Sequence, residues 1–125
     1  MSEAPFRKLG ATRPLRETEK RLVERLLQRV QAGSAPVVNL NAIEVQELPD
    51  GGMGSLYFVH PAKDATTRRF GARVAEVQFK DADGVVVIAS LDVDRDGDLF
   101  ELDLWKTSFD PLIDLSCASR EAEGI

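Results

Sequence analysis

From Arg73 to Lys80 and from Leu99 to Trp105 the chain alternates apolar and polar residues, its most apolar run, Val85 to Val93, lies between them, and two short Asp/Gly turns separate the three. A period of two is the signature of strands with one buried face. Asp81-Ala82-Asp83-Gly84 and Asp94-Arg95-Asp96-Gly97 supply the residue types that tight turns need. The stretch therefore predicts consecutive antiparallel strands over 73–80, 85–93 and 99–105. A three-residue loop, Ala82 to Gly84, sets Phe79 opposite Val87, Val77 opposite Ala89 and Ala75 opposite Leu91. A four-residue loop, Asp94 to Gly97, sets Leu91 opposite Phe100, Ala89 opposite Leu102 and Val87 opposite Leu104. Both loops bury one and the same face, and a one-residue slip would scramble it.

That sheet needs a cover. Leu22, Val23, Leu26, Leu27 and Val30 recur at helical spacing, and polar residues fill the other side. A helix is predicted over 15–31, opened near Pro14, favoured at its start by Glu17 and Glu19, and stopped by Gly33 and Pro36. Strands are predicted over 37–48 and 55–60, joined by the turn Pro49 to Gly54. The expected fold is α+β, with an N-terminal helix packed on an antiparallel sheet, a meander of about five strands. Residues 1–13 are expected to form a flexible arm, 14–113 a single domain, and 114–125 a mobile tail.

Charge narrows the function. The net charge is −5 over 125 residues. It is unevenly spread: residues 1–33 balance at +4 and residues 34–125 at −9. Such a field repels nucleic acid and favours cationic partners. No apolar run reaches the ~20 residues of a membrane helix. A single cysteine, Cys117, closes no intrachain disulfide, and the N-terminus has no secretory core segment; a cytoplasmic location is expected.

Candidate chemistry is sparse. Asp92, Asp94, Asp96 and Gly97 stand at positions one, three, five and six of a calcium-loop pattern, with Asp103 at position twelve. The pattern wants Glu at twelve and helices on both sides, whereas strand-like runs flank this loop, so a hairpin turn explains it better. Ca²⁺ is the one cofactor that the residues suggest. The glycines at 51, 52 and 54 have no following Lys-Ser/Thr, and a strand connection explains them. His60 and Cys117, the only residues of their types, make no recognisable nucleophile pair. No catalytic residue is assigned. The face opposite the core carries Glu76, Gln78, Val86, Ile88, Ser90, Glu101, Asp103 and Trp105. An aromatic anchor within a polar rim suits protein binding. The bland alternative is that the segment with Phe109, Leu112 and Ile113 folds back over Trp105.

Four motifs support a resemblance: Arg13-Pro-Leu with Glu19-Lys20, Asp50-Gly-Gly-Met-Gly-Ser-Leu, Asp81-Ala-Asp-Gly, and Asp96-Gly-Asp-Leu-Phe-Glu-Leu-Asp-Leu-Trp-Lys. Through them the chain resembles a family of small uncharacterised bacterial domains over most of 13–113. The resemblance implies no established activity. Domains of this kind are similar in size, acidity and build to immunity proteins, which neutralise toxins. The leading expectation is thus a non-enzymatic inhibitor of a basic toxin domain, with Glu76, Ile88, Glu101, Asp103 and Trp105 as contact residues. The alternatives are a Ca²⁺-binding domain using Asp92, Asp94, Asp96 and Asp103, and a small enzyme or ligand-binding domain.

Overall fold

A computed structural model of the chain describes residues 10–31 and 33–118. Six strands form one antiparallel sheet, and a 13-residue helix lies between the first two of them in sequence. In chain order the elements are β1 (Arg13–Pro14), α1 (Glu17–Arg29), β2 (Glu44–Glu47), β3 (Leu56–Phe58), β4 (Phe70–Lys80), β5 (Val86–Asp94) and β6 (Leu99–Lys106). The order across the sheet is β1-β2-β3-β6-β5-β4. It is not one meander. Two three-stranded units meet where β3 pairs with β6, and the connection after β3 crosses to the far edge.

The sixth strand is the short β1. Pro14 does not open the helix; it pairs with Glu44, and α1 begins at Glu17. Glu19 explains the shift. Its carboxylate accepts the Arg16 N–H at 2.8 Å, capping the first turn, and accepts both Arg13 terminal nitrogens at 2.9 Å. Arg13 is thereby fixed, and the chain before the helix is drawn into the sheet. The strand expected over 37–48 keeps only Glu44–Glu47, because Asn39 folds 39–42 into a turn.

The β4–β5 register is the expected one, with Phe79 opposite Val87, Val77 opposite Ala89 and Ala75 opposite Leu91. The β5–β6 register is not. Leu91 faces Leu102, Ala89 faces Leu104 and Val87 faces Lys106. The turn is longer than expected, since the Asp94 N–H reaches the Asp98 carbonyl at 2.8 Å and Val93 pairs with Leu99. Phe100 is then the extra residue of a bulge between Val93–Leu99 and Asp92–Glu101. The slide is by two residues, so β6 keeps its faces. Phe100, expected in the main core, instead packs edge-on to Tyr57 on the opposite face.

The core lies between α1 and the sheet. Leu22, Val23 and Leu26 share one buried cluster with Val77, Phe79, Val87, Ala89, Leu91, Leu102 and Leu104, and α1 lies nearest β4 and β5. Cys117 and Ala118 are buried in the same cluster. The chain up to 118 is therefore anchored, contrary to the mobile tail expected from 114; residues 119–125 of that tail and 1–9 of the arm lie outside the described residues. Leu102 sits at the centre, fully buried between Leu91 and Leu56. Leu102→Ala should cost about 3 kcal/mol by the usual large-to-small cavity penalty, while Val37→Ala, at a fully exposed site, should change nothing. Urea denaturation of both variants checks this; equal midpoints would contradict the packing.

Candidate functional site

Two features carry most of the polar chemistry: the ion-paired turns at the two ends of the β4–β5–β6 unit, and the sheet face turned away from α1.

The β5–β6 turn contains two carboxylates of the apparent calcium loop, Asp94 and Asp96, together with Asp98, and a lysine stands among them. Lys63 Nζ lies 2.9 Å from Asp94, 2.9 Å from Asp96 and 2.7 Å from Asp98. These carboxylates, Asp98 foremost, hold the Lys63 pKa well above its ordinary value. Asp94 is the hub. One oxygen accepts the backbone N–H groups of Asp96 and Asp98; the other accepts Lys63 and the Nε and Nη2 of Arg68. Burial alone would raise the Asp94 pKa, but these donors outweigh it and hold the carboxyl far below the usual range. Arg68 is itself buried, reaching the Phe58 and Leu99 carbonyls and the Tyr57 hydroxyl, with its guanidinium over the Tyr57 and Phe100 rings. Glycine makes room for this arrangement: a Cβ on Gly71 would collide with the Asp94 carbonyl.

The residues of the apparent calcium loop are thus divided. Asp94 and Asp96 meet at Lys63 together with Asp98, which the pattern did not include. Asp92 lies on the sheet face, bonded by Arg73 at 2.9 Å, and Asp103 stands 3.6 Å from the same arginine. Among the described residues no group of three or more His, Cys, Asp or Glu is arranged to hold a metal ion. An open cleft of about 370 Å³ lies beside the turn, lined by Lys63, Arg68, Arg69, Asp94 and Arg95 among others. His60 does not line it; its Nδ1 accepts the Ala62 N–H and its Nε2 lies 3.4 Å from Asp98. Cys117 belongs to the apolar core.

The β4–β5 turn follows the same plan. Lys106 is buried and lies 2.8 Å from both Asp81 and Asp83. Asp81 also accepts the N–H groups of Ile113 and Asp114, which fastens the segment after β6. Burial would raise the Asp81 pKa, but Lys106 and the backbone donors bring it down to about 2. Both turns therefore read in sequence as solvated acids and act in the fold as clamps on distant segments. The bases that complete the first one, Lys63 and Arg68, sit in what reads as a plain polar loop. The signal available was the spacing itself: acids at 94, 96 and 98 in one tight turn demand a cation nearby.

The second face is assembled in rows. Arg73, Asp92, Glu101 and Tyr57 form one; Glu76, Ser90 and Asp103 the next; Gln78, Ile88 and Trp105 the third. All five expected contact residues share this face: Glu76 and Trp105 are exposed, and Ile88, Glu101 and Asp103 half-buried. Trp105 remains 41% exposed. The following segment does not bury it. Phe109 leans on Trp105 at 6.0 Å yet is itself 70% exposed, and Ile113 is exposed too. Only Leu112 turns inward to the core. Burial raises the Asp103 pKa; Arg73 opposes the rise, while Asp92 and Asp50 add to it. Ser90 is buried beneath this row, with no hydrogen-bond partner for its hydroxyl among the described residues.

The turn clamps set a pH dependence. Asp81 and Asp94 have folded pKa values below their unfolded ones, so their stabilisation is complete above the unfolded value and fades as pH falls through the folded one. Stability should hold level down to about pH 5 and decline between about pH 4 and pH 2. Asp81→Asn should be less stable than the parent at pH 7, with the gap closing toward pH 2. Chemical denaturation across this range decides; parallel curves for the two proteins would refute the assignment.

No curated protein and no solved structure matches the chain. A family model, described as a domain of unknown function (DUF6984), matches residues 12–116. That span runs from the strand before the helix to the residues fastened by Asp81, which is the whole unit described above, and the chain belongs to this family.

Proposed function

We propose that the protein is a non-enzymatic protein-binding domain of the immunity type, which docks its acidic sheet face on a basic toxin domain and neutralises it. The observation that carries this reading is the open face centred on Trp105. It joins an exposed aromatic pair to a rim of Glu76, Glu101 and Asp103, and among the described residues the segment after β6 leaves it open.

The partner's chemistry follows from the charge. Arg73 neutralises part of Asp92 and Asp103, and the remaining rim is acidic. A cationic side chain beside Asp103 would offset the burial and the like charges that now raise its pKa. A basic surface with an apolar recess for the Trp105–Phe109 pair fits this face. Phe109 supports the reading independently. It holds φ 67°, a left-handed conformation unusual for a bulky residue. That conformation costs stability and sets an aromatic ring at the surface against Trp105.

Two variants test the reading. Trp105→Ala should weaken binding by roughly thirtyfold or more, as expected for a central aromatic anchor. Phe109→Gly should also weaken binding while leaving stability equal or higher, because glycine accepts positive φ without strain. The measurement is affinity capture from the native host with the parent protein and each variant, followed by titration of the captured protein and a growth-rescue assay against its toxicity. Capture of the same proteins by parent and Trp105→Ala, or a captured protein without toxicity, would sink the proposal.

A further inference from the structure

Among the described residues β4 is the last strand of the sheet on its side, so one of its edges has no described strand beside it. Which backbone groups point outward follows from alternation. The Asp81 N–H bonds the Val85 carbonyl, so the odd residues of β4 turn toward β5. The N–H and carbonyl groups of Glu76, Gln78 and Lys80 then point away from the sheet. Such a row is a template for another strand.

The geometry points to a second copy of this chain as the occupant, with β4 pairing antiparallel to β4 about a two-fold axis through Gln78. Two independent features choose this register. The first is length. A bulge between Arg73 and Ala75 ends the straight part of the strand on one side, and the turn starting at Asp81 ends it on the other. Gln78 is the midpoint of the straight stretch 75–81. The second is charge. Pairing about Gln78 sets Glu76 of each copy opposite Lys80 of the other. Both are exposed, and neither makes a close salt bridge within the described residues of its own chain, although the Glu76 charge is felt by Arg73. Moving the axis by one residue either way sets both charges opposite uncharged residues. Moving it by two sets Glu76 against Glu76 or Lys80 against Lys80, which is repulsive.

In this register Gln78 exchanges both backbone bonds with Gln78 of the other copy, and Glu76 does so with Lys80. Val77 meets Phe79 on the core side. An edge lysine commonly blocks strand addition. Here the same lysine is matched by the opposing glutamate. The pairing joins the two sheets into one and leaves Ile88, Asp103 and Trp105 accessible; Glu76 is the one residue it shares with the toxin-binding reading, and Lys80→Glu tests it outside that set.

Sedimentation velocity on the purified chain, from about 5 to about 500 µM, should show a reversible monomer–dimer equilibrium. Lys80→Glu and Glu76→Lys should each weaken the dimer by on the order of tenfold, because two attractive pairs become repulsive. The double variant Glu76→Lys/Lys80→Glu should restore it, and an equimolar mixture of the two single variants should form a heterodimer. Gln78→Pro removes an outward N–H that β5 does not use and should give a folded monomer by circular dichroism. A parent chain that stays monomeric throughout the range, a dimer indifferent to both single changes, or a double variant that fails to recover would each overturn the inference. If Gln78→Pro unfolds, the charge variants alone decide.

Discussion

The contact between Arg68 and Asp94 is the constraint on which the upper end of this fold depends. Two charges with almost no exposure to water are placed against each other, and neither would be tolerated there alone. Each is satisfied several times over. Asp94 closes its own turn through backbone N–H groups, and Arg68 reaches carbonyls of β3 and β6. One ion pair therefore joins the crossing loop, the β5–β6 turn and the seam where the two three-stranded units meet. It also gives a reason for the bulge at Phe100, whose ring lies beneath the guanidinium. A shorter turn would return Phe100 to the core side and leave Arg68 without that platform.

This explains what the sequence makes legible and what it hides. Period-two alternation and an Asp/Gly turn were enough to place Phe79 against Val87, because both strands are regular there and the loop is short. The next hairpin defeated the same reasoning. Its loop length is set by Asp94 contacts to residues 31 and 26 positions earlier, Lys63 and Arg68, which no local pattern encodes. From Glu101 onward the slide by two residues kept the faces of β6, so the set on the outer face was legible even though its cross-strand partners were not. The helix was visible from its stripe. Its entry was not, since β1 exists because Arg13 is bound by Glu19 across the intervening chain. Cys117 read as tail for a similar reason: Asp81, far away in sequence, holds the backbone that leads to it.

The distribution of acids now has a physical division. Those in the hairpin turns are consumed internally by Lys63, Arg68 and Lys106. On the outer face Asp92 and Asp103 lie against Arg73, which is half-exposed. A count over the sequence treats both groups as one acidic field. The fold separates them, and Glu76, Glu101 and Asp103 share the outer face with Trp105.

Lys63 has one more implication. Where comparable loops borrow a dissolved ion to hold their carboxylates together, this loop has its counter-ion tethered by the backbone. A tethered charge is present at an effective concentration set by chain geometry alone. Its supply does not vary with the medium, and the surrounding carboxylates, Asp98 foremost, raise its pKa further. The crossing loop and the turn are thus joined by a charge that belongs to the chain itself.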